Sequence, residues 1–317
     1  MYNLYQSKLR KDIQTKIYDK PYFTIKIFDR EYFIIKEKKI PFKTRWLQIM
    51  LELPKDKLLV KKELQKIKNK YKKEKTIFVQ LCMLNEIIRF ENVKRSQDFL
   101  DDMRDMRLNV RHQIKEDYLE SAFRENMPQA NIVYDITKSD EDLISEMNSC
   151  KERIKKATKK IEFGIASPDQ YELFYQKRKE LSGKKFNIIP KTQYDKLIRY
   201  ITQNNRGNLF TSHIDDIIAG SICVYDEHRI IYLYGFSNRK YSNIHHYLKF
   251  KIFQRARKNN MTYVDMLAPT FPEHPLNVSN FKESLGGIKI EQYGSYDLII
   301  RPFLYKIFKF YFKIKQK

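Results

Sequence analysis

The sequence predicts a mixed α/β (α+β) protein of two domains, and three observations carry that reading. The 317 residues are 42% hydrophobic and 14% aromatic, enough apolar material for a core despite 32% charged residues. Stretches with helical apolar spacing alternate with short β-branched and aromatic runs along the whole chain. The pattern restarts at Thr137, where a capped helix follows a strand, which sets the domains at 1–137 and 138–317.

The elements follow in order. Leu4, Tyr5, Leu9, Ile13 and Ile17 have helical spacing within residues 4–18. Tyr22 to Lys36 reads as two strands around Asp29-Arg30, and Trp46 to Leu53 as a third. Pro54 to Lys75 holds ten lysines, yet Val60, Leu64, Ile67 and Tyr71 recur at spacings 4-3-4. This is an amphipathic helix whose lysine face is either solvated or directed at RNA. Thr76 to Leu84 is a strand, residues 92–125 are charged and mostly helical, and Asn131 to Ile136 returns to strand.

In the second domain Ser139 and Asp142 form a capping box. Leu143, Met147, Cys150, Ile154, Ala157 and Ile161 then make the buried stripe of one helix, with Lys151, Arg153, Lys155, Lys156, Lys159 and Lys160 on its other face. Helices follow at 168–181 and 190–204, then strands at about 208–213, 217–225 and 229–236, the last two joined at Asp226-Glu227. A helix at 241–258, a strand from Thr262 to Met266, a short helix at 277–285 and a strand from Ile288 complete the pattern.

Composition bounds the function. Against 39 acidic residues stand 62 Lys and Arg, a net charge of +23. That excess suits RNA, phosphorylated metabolites or an anionic membrane face. A composition rich in Lys, Ile, Asn, Tyr and Phe, as an AT-rich genome produces, accounts for it equally well, so charge alone names no partner. Cys82, Cys150 and Cys223 are far apart and form neither a CxxC pair nor a disulfide framework, which points to a reducing compartment. Lys8, Arg10, Lys11 and Asp12 interrupt any signal-peptide core, and no run reaches the ~20 apolar residues of a membrane span. The expected location is the cytoplasm. All eight glycines lie at or beyond Gly164, and no Walker loop or dinucleotide fingerprint occurs, which excludes the common nucleotide-binding enzymes.

Several motifs occur together. Tyr134-Asp135-Ile136 precedes a helix bearing Arg153-Ile154-Lys155-Lys156-Ala157. Then come Tyr232-Leu233-Tyr234-Gly235, Tyr263-Val264-Asp265, Phe281-Lys282-Glu283-Ser284-Leu285-Gly286-Gly287 and Tyr293-Gly294-Ser295-Tyr296-Asp297, with Gln6-Ser7 near the start. In order and spacing this set resembles the Fem-type peptidoglycan bridge-forming aminoacyltransferases over essentially the whole chain. Leu285 stands where that family usually has Phe. The first domain lacks the Trp expected after Gln6-Ser7 and an Arg-Gly-Pro-type segment, and no stretch leaves room for a long coiled-coil arm. The chain thus resembles the short, armless members.

The resemblance implies two tandem domains of the acyl-CoA N-acyltransferase fold around a shared cleft. It also implies transfer of an amino acid from aminoacyl-tRNA to an amine of UDP-MurNAc-pentapeptide or its lipid-linked form. Users of acetyl-CoA need a glycine-bearing turn at a helix N-terminus to bind pyrophosphate. Here that turn reads Phe236-Ser237-Asn238-Arg239-Lys240, which argues against CoA. An aminoacyl ester is already activated, so neither metal nor other cofactor is required, and adjacent His245 and His246 point about 100° apart on a helix.

The chemistry needs an amine held against the ester carbonyl and a stabilised oxyanion. The resemblance makes Lys282 the candidate cation, the alternative being a solvated lysine. Asp265, at a strand end, either orients the amine or bonds backbone. Phe281 packs on a ribose or base, or is a buried anchor. Gly286, Gly287 and Tyr296 complete the substrate-binding candidates, with Asp297 sharing the ambiguity of Tyr296. Lys191, after Pro190, lies near where the family binds the nucleotide diphosphate. Two other readings stand beside this one: the same fold with another donor or acceptor, and a non-catalytic RNA- or membrane-binding relative. The tail, about 298–317, sets Lys306, Lys309, Lys313 and Lys317 on one helical side and Leu304, Ile307, Phe308, Tyr311 and Ile314 on another. It is either a peripheral anchor on the inner membrane face or a segment packed on the first domain.

Overall fold

A computed structural model divides the chain into two units, residues 1–129 with 291–317 and residues 130–290. It describes residues 8–19, 22–27, 30–36, 45–52, 57–84, 119–122, 130–147, 151–158, 160–181, 188–226, 228–238, 240–241, 244–267, 281–282, 284–291 and 294–315. The first unit begins with α1 (Lys8–Asp12), β1 (Tyr22–Ile27), β2 (Arg30–Lys36), β3 (Arg45–Glu52), α2 (Lys57–Lys72), β4 (Thr76–Leu84) and β5 (Leu119–Ser121). The second unit opens with β6 (Ala130–Asp135), α3 (Asp140–Glu146), α4 (Lys151–Thr158), β7 (Glu162–Ile165), α5 (Tyr171–Leu181) and α6 (Lys191–Gln203). It continues with β8 (Gly207–Ile214), β9 (Asp216–Asp226), β10 (Arg229–Ser237), α7 (Ile244–Lys258), β11 (Tyr263–Asp265) and β12 (Ile288–Glu291). The chain then returns to the first unit as β13 (Gly294–Ile299) and α8 (Pro302–Lys315).

In the first unit the strand order is β1-β2-β3-β4-β13-β5. The strands β1, β2 and β3 form an antiparallel meander, and β4 lies parallel to β3. A parallel neighbour requires a crossover, and α2 supplies it. Leu64, Ile67 and Tyr71 bury the apolar side of α2 while Lys61, Lys62, Lys66 and Lys70 stay exposed, as the 4-3-4 spacing predicts. The central strand β4 is apolar without alternation, and Ile77, Phe78, Val79, Leu81 and Cys82 are all buried.

The second unit repeats that plan in the order β12-β6-β11-β10-β9-β8-β7. Antiparallel β7 to β10 are followed by the crossover helix α7 and by β11, parallel to β10. The antiparallel β6 then pairs with β11, as β13 pairs with β4 in the other sheet. The core of this unit gathers Tyr134, Leu143, Met147, Ile154, Ala157, Phe210, Phe253 and Leu285.

Five expectations are corrected. The chain divides at 129/130 and again near 291, where a single boundary at 137/138 was expected. The reason is hydrogen bonding: β6 belongs to the sheet of β11, and β13 is inserted between β4 and β5. The helix expected as continuous from 140 closes at Glu146 with Met147 as its C-cap, and Lys151–Thr158 is a helix of its own; Leu143, Met147, Ile154 and Ala157 keep their buried stripe. Leu119–Ser121, expected as helix, is strand β5, because Leu119 and Ser121 pair with Leu298 and Tyr296 of β13. The single strand expected from Ile288 is two, one in each sheet. The short strand β7, read as neither helix nor strand in the sequence, extends the edge of β8. Gln6-Ser7, residues 92–118, Cys150, Glu283, Tyr293 and the start of the helix expected at 277–285 lie outside the described residues.

Buried polar bonds tie the returning segment in. Gln48 Nε2 donates to Gln80 Oε1 at 3.1 Å, and Gln80 Nε2 to Asp297 Oδ1 at 3.3 Å. Tyr305 Oη of α8 completes the ladder by donating to Asp297 Oδ2 at 2.7 Å. Asp297 is thus a structural carboxylate, and Tyr305 and Phe308 pack edge-on or tilted against Phe78, with ring centroids 5.2 and 5.3 Å away. Phe308→Ala is expected to cost about 3–5 kcal/mol, as for buried Phe truncations, whereas Phe310→Ala, at a side chain 67% exposed, leaves stability unchanged. Chemical denaturation of the two variants checks the contrast.

Candidate active site

The site forms where a parallel strand pair ends. β10 and β11 pair over three residues, Arg229–Ile231 with Tyr263–Asp265. Immediately beyond, the register of β10 against β9 slips between Tyr232 and Tyr234, and β10 runs on to Ser237 along β9. A bulge of this kind re-aims side chains next to a strand end. Tyr232 folds back so closely that a Cβ on Gly235 would overlap its hydroxyl, which gives the Tyr-Leu-Tyr-Gly motif a physical reason.

Asp265 closes β11 and is 2% exposed. Its carboxylate accepts from Leu267 N at 2.7 Å and from Asn131 Nδ2 at 3.2 and 3.3 Å. Burial pushes its pKa up, and the Arg229 guanidinium opposes that shift. Lys282 is held beside it by both ends. Its carbonyl accepts from Tyr134 Oη at 2.5 Å, and its Nζ donates to Met266 O at 2.6 Å. Lys282 is 8% exposed, so it is no solvated lysine. Burial brings its ammonium down to about 8, with Asp265 pulling the other way.

Phe281 is half-buried and its ring meets His245 and His246, with centroids at 4.9 and 5.3 Å. His246 reaches Ser284 Oγ at 3.5 Å, while His245 Nε2 lies 2.5 Å from Ser237 Oγ. Burial, reinforced by Lys249 and His246, lowers His245 to about 3, so its imidazole is neutral. Gly286 and Gly287 have φ of +80° and +94°, where L side chains are strained. A Cβ on Gly287 would stand 2.7 Å from the Tyr134 ring, and one on Gly286 would overlap the Glu146 carbonyl. Their geometry lets the Lys282 turn lie flat on β6. Leu285, the departure from the family's Phe, is a buried core residue.

These residues share one unit, to which Lys191 also belongs and Tyr296 does not. Tyr296 belongs to the other unit, buried in β13 opposite Leu81 and Ser121. Lys191 starts α6 with its ammonium 2.5 Å from Asp195 and 2.9 Å from Glu172. Those hydrogen bonds, Asp195 first, raise its pKa. Among the described residues no three His, Cys, Asp or Glu side chains gather as metal ligands.

Lys249 was not among the residues singled out from the sequence. It is 1% exposed in α7, donates to Ser221 Oγ at 2.7 Å and lies 3.4 Å from the centroid of the Tyr232 ring. No carboxylate pairs with it among the described residues. Burial lowers it to about 7, Lys282 adding to the effect, while Cys223 opposes it. The available signal was indirect: Leu248, Phe250, Ile252 and Phe253 crowd apolar side chains around Lys249 in α7, and all four are buried.

The pH dependence follows. Unfolded, Lys249 keeps its proton to about 10.5 and, folded, to about 7. Between those values the unfolded chain binds more protons, so stability rises with pH, and below 7 the full cost of the buried ammonium is present. Lys249→Met is expected to raise the melting temperature below pH 7 and to flatten the gain on going alkaline. Melting curves across that range measure it.

Comparison with known proteins agrees with the motif reading. Residues 190–313 match the FemAB family. That segment contains Lys191, Asp265, Phe281, Lys282, Gly286, Gly287 and Tyr296. A crystal structure of FemX superposes with a TM-score of 0.70 at 13% identity, covering 97% of this chain and 94% of that one. A conserved protein of unknown function from Bacteroides thetaiotaomicron gives 0.58 at 11% identity, over 90% and 88% of the two chains. No curated protein matches the chain by sequence. The FemAB match and the FemX-like fold bear out the Fem-type resemblance.

Proposed function

We propose that this chain is an aminoacyltransferase that moves an amino acid from aminoacyl-tRNA to an amine of a peptidoglycan precursor stem peptide, nucleotide- or lipid-linked. The product is an interpeptide bridge or branch. The FemAB match supports the coarse reading, a transferase of the peptidoglycan bridge-forming kind. The observation that carries the chemistry is Lys282, a buried cation at the end of β11 inside the matched segment.

The amine nitrogen attacks the ester carbonyl, the carbonyl oxygen takes up negative charge, and the ribose oxygen leaves with a proton. The Lys282 ammonium donates to Met266 O, which fixes where its positive charge sits. Lys282 stabilises the oxyanion or the departing oxygen in a site where burial strengthens the interaction. Asp265 is a positioning residue: its charge opposes the loss of the Lys282 proton. Phe281 lies against a ribose or base, and the glycine pair sets the turn that presents it.

The turn before α7 supports a tRNA-borne donor over CoA. Asn238 N donates to Ile218 O at 2.7 Å and Lys240 N to Asn238 Oδ1 at 3.1 Å. Two backbone donors of the turn that a pyrophosphate would draw on are thus already paired within the chain. Under this reading the protein works in the cytoplasm, and a lipid-linked acceptor brings it to the inner membrane face.

Incubation with aminoacyl-tRNA and UDP-MurNAc-pentapeptide, or its lipid-linked form, is expected to extend the acceptor by one residue in a ribonuclease-sensitive reaction. Ribonuclease-insensitive transfer from acetyl-CoA overturns the proposal. Lys282→Ala is expected to lower turnover about 10²–10³-fold with acceptor binding retained. Because the ammonium is the working form, turnover of the native enzyme should fall as pH rises through about 8. Steady-state rates over that range, with acceptor affinity measured separately, test both statements.

A further inference from the structure

The helix α8 has two apolar sides. Tyr305 and Phe308 are buried against Ile77, Phe78 and Ile299, with Leu304 and Phe312 packed beside them. Phe303, Ile307, Phe310, Tyr311 and Ile314 are exposed, by 74%, 40%, 67%, 39% and 58%. Their spacing of 4-3-1-3 makes one continuous stripe along the helix. A helix that turns one face to a core ordinarily carries polar residues on the other.

The surroundings of the stripe are basic. From Pro302 to Lys317 there is no Asp or Glu, and the lysines are 306, 309, 313, 315 and 317. Arg301 Nη2 donates to Lys72 O at 3.3 Å and to Glu74 O at 3.2 Å. The start of α8 therefore adjoins the end of α2, where Lys70, Lys72, Lys73 and Lys75 are exposed. An apolar stripe bordered by lysines matches a surface that is apolar within and negative at its face. A second copy of this chain, itself at +23, would bring like charges together around the same stripe.

We propose that the outer face of α8 is a docking surface for an anionic phospholipid bilayer. The helix lies in the plane of the interface, with Phe303, Phe310 and Ile314 among the acyl chains and the neighbouring lysines on the headgroups. Its inner face stays on the first unit, so docking needs no unfolding of the helix. Anchor and packed segment, alternatives in the sequence, are the two sides of one element.

The test uses the full chain without substrates, so it is independent of the transferase reading. Sedimentation is measured with vesicles of phosphatidylglycerol and phosphatidylcholine, and with phosphatidylcholine alone. Expected are binding to the anionic vesicles that weakens with salt, little binding to the neutral ones, and loss of roughly tenfold or more in the triple variant Phe303→Ser, Phe310→Ser, Ile314→Ser. These side chains are exposed, so the variant should melt like the native chain; the single variant Phe310→Ser covers the case in which it does not. Failure of the native chain to bind anionic vesicles at low salt overturns the proposal, as does unchanged binding by the folded variants. So does a dimer that the variants abolish, found without vesicle binding, since the stripe would then be a contact between copies.

Discussion

Three residue pairs of parallel strand determine what the second unit presents. Arg229–Ile231 run beside Tyr263–Asp265, and such a pair exists only if the chain crosses over between them. The crossover is α7, which delivers His245, His246 and Lys249 to the same end of the sheet. The pairing of β10 with β11 stops at Ile231 and Asp265, and β10 bulges at Leu233, so beyond those residues the two strands are no longer stitched to each other. Asp265 turns to Leu267 N and Asn131, and Lys282 comes in from the later turn to Met266 O. The candidate site lies where the pairing of β10 with β11 stops.

That space is electrostatically expensive. Lys282 and Lys249 are both interior, and each depresses or is depressed by its surroundings through burial first. Asp265 and Arg229 provide opposing charges close by. The first unit treats its interior differently: Gln48, Gln80, Asp297 and Tyr305 form a ladder of hydrogen bonds that crosses β3, β4 and β13 into α8. One buried polar network fixes a segment; the other holds protonation states near neutral pH. The family match takes in both kinds of interior, residues 190–290 of the second unit and 291–313 of the first.

Much of this was legible in the residues, for reasons that can be named. The apolar spacing Leu64-Ile67-Tyr71 specifies the buried side of α2 whatever it packs on, and Lys282 and Asp265 were visible through their flanking motifs. Gly286 and Gly287 were visible as a motif, but their positive φ against Tyr134 and Glu146 is a tertiary fact. Lys249 was illegible because a lysine in a helix reads as solvated until its own side of the helix is seen to be buried. β5 has only three residues, too few for a period, and its identity comes from β13. The partner of β13 itself was illegible because register between distant strands leaves no local trace.

β13 comes last in the chain yet sits between β4 and β5. Residues 130–291 are contiguous and hold all seven strands of the second sheet. During synthesis the second unit therefore has its full complement before the first does. Until residues 294–299 emerge, the edge of β4 carries unmet backbone donors and acceptors, and β5 has no neighbour in its sheet. The unit begun first is therefore the one whose sheet is completed last, with an open strand edge in the interval.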